Sequence, residues 1–198
     1  METFIYILLI STSVVGLTFI VERGLALRWG CVVPPEIEAA IESCQTRADV
    51  PELRRVCESH PSPISRLLLL AAEHLHWAKA DNTDAVQTRA RHEIMRLERG
   101  LVVLEIIVGI APLLGLVGTI VGMMDVFADV GHVGLSDATK LASGIALILR
   151  ATLLGLLIAI PSLVFWSFYT KRVEVLAVEM ERLCEEFVRR QYRQTDRK

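Results

Sequence analysis

The sequence predicts an all-α integral membrane protein with three transmembrane helices, of which the second and third extend into a cytoplasmic helical bundle. Hydrophobic residues make up 53% of the 198-residue chain, and the mean hydropathy of +0.46 is high for a soluble domain. Three uncharged runs, each about 18–20 residues long, have the length that a helix needs to cross a bilayer. The charged residues are concentrated in segments 28–100 and 171–198.

Composition and motifs argue against several classes of function. The formal net charge of −2 gives no sign of a nucleic-acid partner. No nucleophile arrangement, metal cluster or phosphate loop is recognisable, because the glycines lie within an apolar helix rather than after a strand. His74 and His76 would point to different faces of a helix. We therefore expect a protein that is not an enzyme, with no cofactor, no metal site and four free thiols in a reducing compartment.

Residues 1–27 are predicted to form the first transmembrane helix, with the N-terminus in the periplasm. A cleaved signal peptide is the alternative interpretation. Against it, Glu2 precedes the apolar run without any Lys or Arg, and no A-x-A-like cleavage site follows the run. The run is followed by Arg23, Arg28 and Trp29, which are typical of a cytoplasmic membrane edge with an interfacial aromatic residue.

Residues 28–100 are predicted to form a cytoplasmic helical segment that leads into the second transmembrane helix. The Pro34-Pro35 pair breaks the chain, and short helices are predicted after Pro35 and over residues 51–59. A third helix is predicted over residues 64–80. Its run of four leucines is too short to cross a membrane, so these leucines are expected in the core of the bundle.

A single long helix is predicted from near Asp84 to about Ala128. Residues 81–83 are predicted to form a turn, and Asp84 with Gln87 resembles a capping box. No stop signal follows before the far side of the membrane. About half of this helix would therefore stand in the cytoplasm, and residues 101–124 would form the second transmembrane helix.

The second transmembrane helix carries a stripe of small residues. Four of them follow an i, i+4, i+7, i+11 pattern and so share one face: Ala111, Gly115, Gly118 and Gly122. Because small residues let another membrane helix approach closely, this face is predicted to pack against protein. Pro112 is expected to bend the helix, and Thr119, the only hydroxyl in the apolar run, lies at the edge of the stripe.

Residues 125–140 are predicted to form a short periplasmic loop. The loop contains three carboxylates and one Lys, whereas the two long polar segments are rich in Arg beside the membrane. Because Lys and Arg are enriched on the cytoplasmic side of a membrane, this asymmetry predicts a periplasmic N-terminus and a cytoplasmic C-terminus.

Residues 141–170 are predicted to form the third transmembrane helix, and residues 171–198 a cytoplasmic helical tail. The helix is expected to run from about Ser136 to about Gln191 without interruption. A second stripe of small or hydroxyl residues follows an i, i+3, i+7, i+10 pattern: Thr152, Gly155, Ala159 and Ser162. Pro161 lies at a depth that matches the proline of the second helix and is also expected to bend its helix.

Arg150 lies near the outer end of the third span, and three interpretations of it stay open. Its guanidinium can snorkel to the outer surface, pair with Asp125 or Asp129 at the end of the neighbouring helix, or take part in gating or selectivity. The middle of all three spans contains no ionisable residue. Because ion-driven work needs a group that gains and loses the ion inside the membrane, usually a carboxylate, a partner protein is expected to supply it.

Two motifs point to a known family. The segments APLLGLVGTIVGM (Ala111–Met123) and GIALILRATLLGLLIAIPS (Gly144–Ser162) closely resemble the ExbB/TolQ/MotA family of ion-channel stator subunits. With three spans rather than four, the chain resembles the ExbB/TolQ branch of the family more than the MotA branch. The chain departs from that pattern at Leu147, where many members have Glu, and at Arg150, where they have an apolar residue.

The resemblance implies a homopentamer in the bacterial inner membrane that encloses two transmembrane helices of an ExbD- or TolR-like single-span subunit with a membrane Asp. Proton motive force would then drive a TonB- or TolA-like protein that acts on the outer membrane. Thr119 and Thr152 would line the ion path. The alternatives are a motility-type motor stator and a non-conducting membrane scaffold, and the sequence does not distinguish H⁺ from Na⁺.

Overall fold

The computed structural model describes the backbone of residues 2–133 and 138–193, and the side chains in these ranges other than those of 2, 129–133, 138–141, 143 and 147. Over these ranges the chain is helical and contains no strand, which confirms the all-α fold class. The α-helices are α1 (Glu2–Ala26), α2 (Trp29–Val32), α3 (Pro35–Ser43), α4 (Val50–Ser59), α5 (Pro63–Glu73), α6 (Lys79–Glu98), α7 (Leu101–Val133) and α8 (Ala138–Arg193). Single 3₁₀ turns lie at Arg47–Asp49 and His74–His76.

Three of these helices are long and apolar enough to cross a membrane. The candidate spans are Thr3–Ala26 in α1, Leu101–Ala128 in α7 and Gly144–Arg193 in α8. They coincide with the three apolar runs of the sequence, so the prediction of three transmembrane helices is confirmed by length and composition. The orientation of the chain in the membrane stays a prediction.

The chain divides into two compact units. The membrane unit comprises Met1–Arg23 and Gly100–Phe168, and the polar unit comprises Gly24–Arg99 and Tyr169–Lys198. The helices α1 and α8 contribute residues to both units. Each unit has its own buried residues and is described separately.

The membrane unit is built on one buried face of α7 and one of α8. The buried residues of α7 recur every three or four positions: Leu101, Leu104, Ile107, Ala111, Gly115, Gly118 and Gly122. Those of α8 recur in the same way: Ile148, Ala151, Gly155, Ala159 and Ser162. Large apolar side chains such as Leu113 and Leu157 are exposed on the opposite faces, as expected for helices that contact lipid.

The polar unit has a conventional core of large apolar side chains. On α8 the buried residues have helical spacing: Val173, Leu176, Met180, Leu183 and Phe187. The helices α3, α4 and α5 pack in sequence against one another and add further buried residues: Ile37, Ile41, Leu53, Ile64 and Leu67. The Arg190 guanidinium donates a hydrogen bond of 3.1 Å to the Ile41 carbonyl, which joins α8 to α3.

The local sequence explains where the short helices of the polar unit begin. Pro35 occupies the first turn of α3, where its missing N–H is no loss. Pro63 does the same in α5, and the Ser62 hydroxyl caps that helix by accepting a hydrogen bond of 3.2 Å from the Ser65 amide. The helices α3 and α4 lie where the two short helices are predicted.

The predicted end of the third polar helix is wrong. The α-helix stops at Glu73 instead of continuing to residue 80, and the 3₁₀ turn follows. Two contacts explain this end, because the His74 ring stacks on Trp77 with a centroid separation of 3.8 Å, and the Tyr192 hydroxyl lies 3.0 Å from the Trp77 carbonyl oxygen.

The predicted single helix from Asp84 to about Ala128 is also wrong. The helix α6 begins at Lys79, so residues 81–83 are helical and not a turn. The helical pattern is interrupted at Arg99 and Gly100, and α7 then continues to Val133, so residues 125–133 are helical and not part of a loop as predicted. Gly100 is buried against the Arg23 side chain, which occupies the space that a Cβ atom would need. Ser136, the predicted start of the next helix, lies outside the described residues.

Candidate functional site in the membrane unit

The small residues of α7 and α8 form a contact in which the two backbones nearly touch. A Cβ atom added to Gly155 would lie 2.5 Å from the Ala111 carbonyl oxygen and 3.2 Å from the Gly115 Cα. A Cβ atom added to Gly115 would lie 2.9 Å from the Ala151 carbonyl oxygen and 2.9 Å from the Thr152 Cα. Such distances leave room only for hydrogen, so the two predicted stripes face each other within one chain.

The helix α1 joins this contact through two positions. A Cβ atom at Gly118 would lie 2.7 Å from the Ala151 Cβ and 3.4 Å from the Ile5 Cγ2. Sequence analysis misses Gly16 of α1, where an added Cβ atom would lie 3.5 Å from both the Ile107 Cδ1 and the Ser162 Oγ. The signal that could have found Gly16 is that it is the only glycine in the first uncharged run.

The remaining small and kinking residues are placed as follows. Gly122 is buried on the same face of α7 as Gly118. Ala159 is buried in one apolar cluster with Ile107 and Ala111. Both prolines lie inside uninterrupted helices, Pro112 half-buried in α7 and Pro161 exposed in α8. The bends predicted at the two prolines stay predictions.

The two threonine hydroxyls lie at similar depths but make different hydrogen bonds. Thr152 of α8 donates to the Gly115 carbonyl of α7 over 3.2 Å, so its hydroxyl joins the two helices. Thr119 donates to the Leu116 carbonyl of its own helix over 2.6 Å. Both side chains are half-buried. The structure thus places Thr152 in the contact and Thr119 one turn along α7 at its edge, and a role in the ion path stays a prediction.

Arg150 lies deeper than Asp125 and Asp129, the two aspartates that one of its three interpretations pairs with it. It precedes Ala151, which packs against Gly115 and Gly118, and Gly118 is seven residues from Asp125, about 10 Å along a helix. Asp129 is one further turn away, and its side chain is outside the described set. Among the described side chains, Arg150 is exposed and makes no ion pair with Asp125.

The polar unit contains a buried carboxylate surrounded by three arginines. The Glu93 side chain is only 1% exposed and contacts Arg66 at 2.6 Å, Arg89 at 3.1 Å and Arg96 at 3.6 Å. Burial raises the pKa of the Glu93 carboxyl, but the hydrogen bond from Arg66 and the charges of all three arginines outweigh burial and hold that pKa below its ordinary value. The Glu93 carboxylate is therefore ionised at neutral pH and joins α5 to α6.

Three of the four cysteines of the polar unit are buried like apolar core residues. Cys44, Cys57 and Cys184 are buried and Cys31 is exposed, and all four are free thiols. Burial raises the pKa of the Cys57 thiol to about 11 and also raises the pKa of Cys44. Both thiols are therefore protonated at neutral pH. A protonated thiol packs as a small hydrophobic group, whereas the nucleophile is the thiolate.

Comparison with known proteins identifies the family. The model of the MotA/TolQ/ExbB proton channel family matches residues 60–182. The chain belongs to this family. The matched residues include α5, α6, α7 and most of α8, and therefore both stripes, both threonines and the Glu93 cluster, whereas α1–α4 precede the match.

Individual relatives carry ExbB and TolQ names, which confirms the ExbB/TolQ branch. The Tol-Pal system protein TolQ of Pseudomonas aeruginosa is 28% identical over 193 residues, covering 90% of this chain and 82% of the relative. The biopolymer transport protein ExbB of Helicobacter pylori is 40% identical over 81 residues, covering 41% and 56%. A putative ExbB homolog of Methanothermobacter thermautotrophicus is 29% identical over 143 residues, covering 72% and 50%. The matches thus span about half the length of these two ExbB relatives.

Family membership and the three apolar helices together make the chain an integral membrane protein of a proton channel family. In the membrane unit α7 and α8 make a close contact and carry two threonines at similar depths. It also places a cation, Arg150, near the level of those threonines.

Proposed function

We propose that the chain is an ExbB/TolQ-like inner-membrane subunit that forms the wall of a complex driven by proton motive force. The proposal rests on the pair of threonines in the membrane unit, together with family membership. Thr119 and Thr152 lie within about one turn of each other in depth. The sequence has no carboxylate between Ile106 and Met124 or between Arg150 and Thr170.

The missing carboxylate defines what the partner contributes. An ion gradient does work through a group that can be loaded and unloaded inside the membrane, and a hydroxyl that stays neutral does not do this. We infer that an ExbD- or TolR-like single-span subunit carries a membrane Asp beside the two threonines. Copies of the present chain form a homo-oligomer, a pentamer by resemblance, that encloses the helices of this subunit.

The output of the complex is movement delivered to the outer envelope. The relatives are named for biopolymer transport and for the Tol-Pal system, and we propose a TonB- or TolA-like protein as the receiver of the motion. The N-terminus and the connection between α7 and α8 then face the periplasm, and the polar unit faces the cytoplasm, in agreement with the Arg-rich flanks of the apolar runs.

Reconstitution into liposomes that contain a pH-sensitive dye tests the proposal. The chain alone is expected to pass no protons, and the chain co-purified with a single-span Asp-bearing protein is expected to pass protons when a pH gradient and a membrane potential are applied. Thr119→Val and Thr152→Val keep the side-chain shape and should each lower this flux at least about 10-fold if the hydroxyls line the path.

Thr18→Val is the matched control, because Thr18 lies on α1 and its hydroxyl donates to the Val14 carbonyl of its own helix over 2.8 Å. This variant should conduct like the wild type. Flux from the chain alone would contradict the assignment of the carboxylate to a partner. A lack of flux with every partner would favour a non-conducting scaffold, and unchanged flux in both threonine variants would remove these residues from the path.

A further inference from the structure

Two helices of the polar unit, α6 and α8, each carry a row of exposed residues along one side. The exposed residues of α6 recur every three or four positions and form what we call the α6 ridge: Asp81, Asp84, Thr88, His92 and Met95. The exposed residues of α8 recur in the same way and form the α8 ridge: Val175, Val178, Arg182, Glu185, Arg189 and Arg193. Helices that pack along one another contact through rows with this spacing.

Each ridge exposes large apolar side chains between its charged ones. Met95 of the α6 ridge is 55% exposed, and Val178 of the α8 ridge is 66% exposed. Val175 lies one turn from Val178 on the same ridge and is 46% exposed. Neighbouring apolar side chains on an otherwise polar surface are typical of a contact with protein.

One hydrogen bond sets the two ridges in register. Because α6 ends and α8 begins at the boundary of the polar unit, the two helices run in opposite directions. The Asn82 side chain donates a hydrogen bond of 3.2 Å to the Tyr192 hydroxyl, which places these two residues near the same level. Met95 is 13 residues along α6 from the donor, and Val178 is 14 residues back along α8 from the acceptor. Both apolar side chains therefore lie about 20 Å from that bond, at matching levels.

The charges at the other end of the ridges have opposite signs at matching levels. On the α6 ridge, Asp81 and Asp84 lie within two residues of the donor of that hydrogen bond. On the α8 ridge, Arg189 and Arg193 lie within three residues of its acceptor. None of these four side chains makes an ion pair with another described side chain. The α6 ridge is thus acidic where the α8 ridge is basic.

The middle of the two ridges adds no repulsion. Arg182 and His92 lie at one level, each ten residues from the hydrogen bond. The Arg182 guanidinium is paired within α8, with Glu179 at 2.7 Å and with Glu186 at 3.2 Å. Its charge is therefore balanced before any other helix approaches.

The two ridges do not meet within one chain. A groove lies between α6 and α8, and α6 lines it with residues such as Val86 and Ala90. No residue of the α6 ridge lines this groove, so the ridge points away from α8 of its own chain. A second copy can supply the other ridge. In a ring whose axis runs along these helices, rotation from one copy to the next keeps every residue at its level.

We propose that the α6 ridge of one copy packs against the α8 ridge of the next copy. Val178 then contacts Met95, and Arg189 lies beside Asp84. The inference rests on the proposed function, because it gives the homo-oligomer a contact between its polar units. The two surfaces differ, so the contact is heterologous, and a heterologous contact repeated around an axis can close a ring. Apolar contact stabilises the pair of ridges, and the opposite charges fix their register.

Disulfide cross-linking in membranes isolated from the protein's own host tests this contact. The full chain carries Cys31→Ser, which removes its exposed thiol, together with Met95→Cys and Val178→Cys. Oxidation with copper phenanthroline should join position 95 of one copy to position 178 of the next and give a ladder of dimers, trimers and larger species. Either of the two cysteine substitutions alone should give no ladder. Both positions are exposed, so these changes should leave folding intact.

Met95→Cys with Arg189→Cys is the matched control. It uses the same two ridges, but position 189 is 11 residues from position 178, or about 16 Å along α8. A disulfide needs Cβ atoms about 4 Å apart. The control pair should therefore give at least about 10-fold less ladder than the pair at matching levels.

A charge exchange tests the register independently. In the background with cysteines at positions 95 and 178, Asp84→Arg and Arg189→Asp should each lower the yield of the ladder at least about 3-fold, because like charges then face each other. The two substitutions together should restore the yield, because the pair is rebuilt in reverse. An undiminished ladder in both single charge variants would overturn the inference.

The outcomes separate this inference from the proposed function. If the matched cysteine pair gives no ladder while the chain with its single-span partner passes protons, the contact is overturned and the proposed function stands. A ladder of equal strength from the control pair, or from one cysteine substitution alone, would show random collision or a different contact and would also overturn it. If the matched pair gives the ladder and the charge exchange restores it, but no preparation passes protons, the contact is supported and the proposed function is wrong.

Discussion

The membrane unit and the polar unit are both helical, but they are held together by different kinds of contact. In the membrane unit α7 and α8 approach each other closely through small residues, as where Gly155 meets Ala111. In the polar unit the buried positions of α8 are filled by large side chains such as Met180 and Phe187. The polar unit also buries an ionised carboxylate, Glu93, among arginines.

The surrounding solvent accounts for this difference. In water, burial of apolar surface is worth about 25 cal/mol per Å², so large side chains stabilise a helical bundle. In lipid a buried Leu gains nothing from leaving its surroundings, and helices associate through close packing and hydrogen bonds between helices. The polar unit is thus stabilised by large buried side chains and the membrane unit by close packing of small residues. A mutation can disrupt one kind of contact and leave the other intact.

The largest effect is expected in the polar unit, from Glu93→Gln. The substitution keeps the shape but leaves Arg66, Arg89 and Arg96 around a neutral amide, and it should destabilise the unit by about 3 kcal/mol, the low end of the range for breaking a buried ion pair. The low end applies because the Arg66 side chain is 37% exposed and is partly solvated by water. Hydrogen exchange of the full chain in detergent should show faster exchange in peptides from α5 and α6. Glu98→Gln, at an exposed position of the same helix, is the control and should exchange like the wild type.

The stability of the wild type and that of Glu93→Gln should respond differently to acid pH. Because the arginines hold the pKa of Glu93 below its unfolded value of about 4.3, the carboxylate stabilises the fold fully above that pH and loses its contribution as the pH falls through the folded pKa. The thermal midpoint of the wild type, followed by circular dichroism, should therefore fall more steeply below about pH 4.3 than that of Glu93→Gln. Parallel decreases in the two proteins would show that Glu93 does not contribute to acid sensitivity.

A second and smaller effect is expected in the membrane unit, from Gly155→Ala. The added methyl group would lie 2.5 Å from the Ala111 carbonyl oxygen, and a backbone atom cannot move aside as a side chain can. We expect a loss of about 2 kcal/mol in the free energy of unfolding, within the range for overpacked cores. Titration of the detergent-solubilised chain with a denaturing detergent measures this change.

Gly109→Ala is the matched control, because an added Cβ atom at Gly109 would meet nothing within 4 Å. That variant should be neutral or slightly stabilising, since Ala has a higher helix propensity than Gly. A loss of stability in Gly109→Ala as large as that in Gly155→Ala would mean that glycine in these helices does not serve close packing.

The sequence was sufficient to predict the stripes of the membrane unit, because helical spacing and residue size can be read directly from it. Ala111, Gly115 and Gly155 were all identified in this way. The sequence could not tell what each stripe faces. In the structure the stripes of α7 and α8 meet each other, and Gly16 of α1 contributes to the same unit although no stripe marks it.

The helix boundaries of the polar unit were harder to predict, because contacts between distant residues decide them. The predicted turn over residues 81–83 is helical, and the buried Asn82 side chain donates hydrogen bonds to the Ala71 carbonyl at 3.0 Å and to the Tyr192 hydroxyl at 3.2 Å. Tyr192 is 110 residues away in sequence. Local propensity favours a turn for Asn, but these tertiary hydrogen bonds stabilise it within the helix.

The smallest effect is expected from the hydroxyl that joins α7 to α8. Thr152→Val removes the hydrogen bond to the Gly115 carbonyl and should lower the free energy of unfolding by about 0.6 kcal/mol, the average for such bonds between membrane helices. Thr119→Val should change it less, because the Thr119 hydroxyl bonds only within its own helix. The same denaturing-detergent titration measures both variants, and equal losses would contradict the assigned bonding. Both variants are expected to lose proton flux, whereas only Thr152→Val is expected to lose stability. In that case the Thr119 hydroxyl affects flux without joining two helices, so its role in transport is separate from packing.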